Sequence, residues 1–167
     1  MERKPGALTL SEDDRRVLAV WAADCAERVL PMFEIRALGD PRPREAIEGV
    51  RAFARGELRI GPARALAVAA HAAAREVGDP AAMAAARAAG HAAAVAHMAA
   101  HARGVPAYAA IAAGLAAPDG STASTREIQW AVRHAAPAVR QVLLKLPTPP
   151  RSAGKLGTLI DDLLTSL

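Results

Sequence analysis

The chain has 167 residues, a formal net charge of +4 and 52% hydrophobic residues, of which alanine supplies much and aromatic residues only 3%. That length suits one domain with a real core. A mean hydropathy of +0.11 and a pI of about 10.0 permit an acidic partner without pointing to nucleic acid, since a GC-rich coding sequence raises arginine by itself.

The start, MERKPGALTLSEDD, is basic but has no apolar stretch, so no signal peptide is expected. The single cysteine, Cys25, excludes an internal disulfide framework and suits a reducing compartment. The run from Ala81 to Ala117 is alanine-rich, but Arg87, His91, His97, His101 and Arg103 would be costly in lipid. No membrane span and a cytoplasmic location are expected.

Helix signals punctuate the chain. Ser11 followed by Glu12, Asp13 and Asp14 reads as a cap with acids that complement the helix dipole. A first helix is expected from Glu12 towards Pro31, with Leu18, Trp21, Ala22, Cys25 and Val29 as its apolar stripe. Asp40-Pro41 starts a second, with Ile47, Val50 and Ala54 inward and Gly56 as its stop. On its outer face Glu48 is spaced to pair with Arg44 or Arg51, and Arg55 completes that face. Gly61-Pro62 begins a third helix, carrying Ala63, Leu66, Ala67, Ala70, Ala74 and Val77 and ended by Gly78.

Asp79-Pro80 starts a fourth helix, expected to run to Arg103 and stop at Gly104. Val105-Pro106 opens a fifth, ending near Pro118-Asp119-Gly120. Ser124 and Glu127 match a capping box for a sixth, through Ile128, Val132, Val139 and Leu143, with Pro137 inside it. Leu146-Pro147-Thr148-Pro149-Pro150 reads as a stiff linker. The last segment, Leu156 to Leu164, is amphipathic, exposing Asp161 and Asp162 and offering Leu159, Ile160, Leu163 and Leu164. It can pack on its own domain or on a second copy, so a homo-oligomer stays open. No run alternates as a strand does. The expected fold is all-α: a single-domain array of about six helices over residues 8–146, then the linker and C-terminal helix over 147–167.

The polar groups of the fourth helix are its oddity. Between Asp79 and Asp119 there is no carboxylate, yet His91, His97 and His101 interrupt the alanines. Four residues apart on one helix, His97 and His101 share a face with Met83, Ala86, Gly90 and Ala94. His91 points about 120° away at about 100° per residue. Gly90 implies that another helix passes close by. His71, on the third helix, and Asp24, Glu27 and Arg28, beside the stripe of the first, are candidate partners.

Three readings are open. The six residues Asp24, Glu27, Arg28, His71, His97 and His101 form a structural polar cluster. Alternatively His71, His97 and His101, with Asp24 or Glu27, hold a transition metal such as zinc, although the Glu of H-E-x-x-H is absent. General acid–base chemistry is the third, but no nucleophile stands nearby. Cys25 reads as a core hydrophobe, and Trp130 with His134 as ordinary packing. Arg59-Ile60-Gly61-Pro62 lacks the glycines and lysine of a phosphate loop.

Four stretches carry a family resemblance: LAVWAADCAERVL (Leu18 to Leu30), DPRPREA (Asp40 to Ala46), AHAAAR (Ala70 to Arg75) and AHMAAH (Ala96 to His101). They resemble a bacterial immunity protein family, small helical domains of GC-rich genomes that sometimes carry an exonuclease-like label. The resemblance covers roughly Leu8 to Leu146. It implies one α-helical domain and a non-catalytic role in binding and neutralising a protein toxin of a competing or sister cell. It carries no catalytic residues and no cofactor. A nuclease would need clustered carboxylates for two metal ions, and the sequence offers no such cluster. The surface expected to meet an acidic toxin is Arg44, Arg51 and Arg55, with Arg59 and Arg64 nearby. The alternative is a metal-binding helical protein using the histidines.

Overall fold

The computed structural model describes residues 10–150 and 153–167. The basic start of the chain and residues 151–152, just after the expected Leu146–Pro150 linker, lie outside them. Among the described residues there is no strand, and nine α-helices take the place of the expected seven. None is long and apolar enough to cross a membrane.

Helix α1 (Glu12–Glu27) starts as its sequence dictates: the Ser11 side chain accepts the Asp14 N–H at 3.1 Å. It stops before Pro31, which instead sits in the first turn of a short α2 (Leu30–Glu34). A proline there has no N–H to lose. Asp40 accepts the backbone N–H of Arg42 at 3.1 Å and starts α3 (Arg42–Ala54). Gly56, at φ +77°, turns the chain out of it. Helix α4 (Ile60–Glu76) ends likewise before Gly78, at φ +73°. Asp79 caps α5 (Pro80–Ala94) by accepting the Ala82 N–H at 2.9 Å.

Helix α5 is the centre of the molecule. It packs on α1, α2, α3, α4 and α6, the last running Gly104–Ala116. Ala85, Ala86, Ala88, Ala89, Ala92 and Ala93 are all fully buried. Side chains this small let five neighbours approach one axis. The large apolar groups, Phe33, Phe53, Leu18, Leu30 and Ile47, fill the gaps.

The expected helix through Arg103 is broken. Helix α5 ends at Ala94, Met98 is extended (φ −148°, ψ 102°), and a 3₁₀ turn (Ala99–Arg103) leads into α6. Gly104 therefore begins a helix rather than stopping one. Alanine propensity favours continuity, so the break has a tertiary cause. The buried guanidinium of Arg103 donates to the carbonyls of Pro147 (2.6 Å), Leu146 (3.0 Å) and Leu143 (3.2 Å). A straight continuation would carry it away from them.

The capping box is also corrected. Helix α7 (Gly120–Arg133) begins five residues earlier, after Asp119, and Ser124 lies buried in its second turn, donating to the Ala110 carbonyl at 2.8 Å. Glu127 turns to Arg28 instead. Pro137 opens α8 (Pro137–Lys145) rather than lying inside a longer helix. Helix α9 (Lys155–Ser166) packs on α6 and α7 of the same chain, with Leu163 fully buried and Leu159 nearly so.

Candidate functional site

The six residues of the expected polar cluster separate into two places. Asp24, Glu27 and Arg28 belong to a solvent-facing strip on α1, α3 and α7. His71, His97 and His101 join His91 on α4, α5 and the turn after it.

On the strip, one guanidinium nitrogen of Arg51 donates to Asp24 at 2.9 Å and to Glu27 at 2.6 Å. That hydrogen bond holds the Glu27 carboxyl below the usual carboxylate range. Both carboxylates are about half exposed, so neither is available to an imidazole in the core. Arg28 grips Glu127 with two bonds, at 2.8 and 3.0 Å. Its guanidinium also lies over the Trp130 ring, 4.3 Å from the centroid. Trp130 also stacks on His134, with centroids 3.9 Å apart and planes within 14°. Asp24, Glu27, Arg28, Trp130 and His134 line one shallow depression. The Trp130–His134 stack is the one-turn packing that their spacing predicts; the Arg28 contact that adds them to the strip comes from α1, far away in the chain.

The strip continues along α3. Arg44 donates to Glu34 at 2.6 Å and also feels the charges of Glu48 and Glu27. Arg55 donates to Glu57. The expected basic face is thus one of alternating charge, and its partners come from α1, α2 and the turn after α3 rather than from Glu48. Beyond Arg44 the chain exposes Leu38 (88%) and Ile35 (67%). Arg59 and Arg64 are exposed without a carboxylate partner among the described residues. Arg59 lines a different depression, with Glu12 and Arg16, and the charge of Arg64 acts on His97.

The second place is built of rings. His71 reaches from α4 across α5 and lies over Gly90, where a Cβ would stand 2.6 Å from its Cε1. It was this imidazole, as well as the helix behind it, that required glycine. Arg87 donates to His71 Nδ1 at 3.3 Å. His91, expected to point elsewhere, is the hub. Its ring meets His71 edge-on at 5.3 Å, His101 at 4.9 Å and Tyr108 at 4.9 Å. His97 follows, 5.6 Å from His101. Gly104 leaves room for His91, a Cβ there standing 3.0 Å from Nδ1. Two glycines in an alanine run were the signal that could have marked the hub.

Burial pushes all four imidazoles below their ordinary range, His71 to about 4 and His91 to about 3. Arg87 adds to the effect at His71, and His101 to that at His91. The rings are therefore neutral at pH 7. Among the described residues, no three His, Cys, Asp or Glu side chains are placed to hold one metal ion. His71, His97 and His101 do not converge on a point, because the break after Ala94 separates the latter two from one helix face. Cys25 is buried and desolvation pushes its thiol up, which disfavours the thiolate.

A family model described as Imm-5 like putative immunity protein matches residues 8–138. No curated protein matches the chain, and no solved structure does.

Proposed function

We propose, for a chain that belongs to the Imm-5 like immunity family, that it binds a protein toxin in the cytoplasm of the cell that makes it and blocks the toxin without catalysis. One observation carries this reading: the exposed strip from His134 and Trp130 through Arg28, Arg51 and Arg44 to Leu38. It combines the residue types that anchor protein interfaces, an indole and several arginines, with exposed apolar groups at one end. Its fixed alternation of charge is a device for partner choice rather than for bulk attraction. The partner's matching surface is correspondingly of mixed charge, not simply acidic.

The test is co-expression in a bacterial host with each toxin encoded beside this chain's own gene. Growth restored by the chain, together with intact labelled DNA after incubation of purified protein with magnesium, is the expected result. Failure to restore growth against any of them, or cleavage of the DNA, would sink the reading.

A further inference from the structure

The imidazole cluster lies away from the strip, and binding does not account for it. Its most specific feature is the contact between His91 Nδ1 and His101 Nδ1, at 3.1 Å. Two bare nitrogens at that distance would face lone pair to lone pair. Two N–H groups would collide. The contact is satisfied only when one nitrogen carries a hydrogen and donates to the other. It therefore holds one proton.

The contact also joins parts of the chain that a regular helix would keep apart. Ten residues of continuous helix would set His91 and His101 about 15 Å from each other. Their contact closes the fold-back that places the 3₁₀ turn on α5. The same turn carries Arg103, which holds the carbonyls at the end of α8.

We propose that the His91–His101 pair is an acid-released clasp: with one proton it fastens the Ala99–Arg103 turn to α5, and with a second it lets the turn go. A second proton on the accepting Nδ1 turns it into another donor and breaks the bond; one on the bare Nε2 of the donor ring leaves the bond but charges a ring that burial keeps neutral. Either creates a cation with no carboxylate among the described residues acting on it. The charged and titratable groups acting on the four rings are Arg64 and Arg75 from α4, Arg87 from α5 and Arg15 from α1, besides the rings themselves. Tyr108 of α6 covers His91. None of the acting groups is a carboxylate, and none comes from α2 or α3. The sign follows. The unfolded chain takes up protons on these rings from about pH 6.5 downward, whereas the folded cluster resists them. The clasp's full contribution is present above that pH and is lost as acid is added.

Two measurements on the full chain, with chelator present, test this. Long-range ¹H–¹⁵N spectra at pH 7.5 are expected to show one of the two rings protonated at Nδ1 and the other at Nε2. Thermal unfolding is expected to lose roughly 5–10 °C in Tm between pH 7 and pH 4.5, and His101→Asn to lose no more than half of that. The same tautomer on both rings would overturn the proposal, as would either ring titrating freely near its ordinary value. An acid slope unchanged in His101→Asn would do so too. A zinc-dependent rise in Tm without chelator, abolished by His101→Asn, would assign the pair to a shared metal ion instead. The tautomer measurement needs no variant and stands if His101→Asn does not fold.

Discussion

Arg51→Glu is expected to weaken the complex with the toxin by at least about 30-fold and to abolish protection in co-expression. The reason is local. Among the described residues, Arg51 is the one cation bound to both Asp24 and Glu27. A glutamate in its place sets three carboxylates together on α1 and α3. The strip then changes sign at its middle, where interface energy concentrates, and a loss of about 2 kcal/mol there corresponds to that factor. The fold itself loses only about 1 kcal/mol, because the pairs are half exposed and screened. Far-ultraviolet circular dichroism and Tm separate the two effects. Arg75→Glu is the control, since it makes the same charge change on the exposed side of α4, outside the strip, and is expected to leave binding unaltered. Equal affinity for Arg51→Glu and the native chain would remove α3 from the interface.

Gly90→Ala is expected to destabilise the protein by about 1–3 kcal/mol, although helix propensity alone favours alanine by about 1 kcal/mol. The added Cβ would stand 2.6 to 2.8 Å from three atoms of the His71 ring. That ring is held by Arg87 on one side and by His91 on the other, so relief requires it to leave its place over α5. Thermal unfolding at pH 7.5 reads the effect as a fall of roughly 3–10 °C. His71→Ala in the Gly90→Ala background is expected to recover part of it, and the double-mutant cycle isolates the contact. A Gly90→Ala protein that melts higher than the native one would show that the imidazole yields freely and that the ring cluster is loosely built.

What the sequence made legible follows from where its signals were local. Ser11, Asp79, Gly56 and Gly78 act within a turn of themselves, and they mark helix ends as read. The class is likewise plain from period and from the absence of alternating runs. The errors share one cause, an interaction between residues distant in the chain. Nothing between Ala94 and Gly104 announces a break, because the bonds that require it are made by Arg103 to carbonyls some forty residues on. Ser124 looks like a cap but bonds to α6, and Glu127 looks like its partner but belongs to Arg28.

The site was legible to the same extent. The outer face of α3 is read from spacing, and the structure has Arg44 and Arg51 on that helix and Arg55 at its C-cap. Their carboxylate partners were not legible, since Glu34, Asp24 and Glu27 come from other elements and reverse the reading of that face from basic to mixed. His97 and His101 were singled out on the assumption of one unbroken helix. With the helix broken, His91 moves from the margin to the hub, and Asp24 and Glu27 leave the cluster altogether.

The claim that the α1–α3–α7 strip meets the toxin is tested most directly by amide hydrogen exchange of the chain, free and bound to a toxin that it neutralises. Slowed exchange over residues 24–28, 44–55 and 127–134, with residues 64–71 and 91–108 unchanged, is the predicted result. Protection centred on α4 and the imidazole cluster, with the strip exchanging as in the free chain, would contradict it.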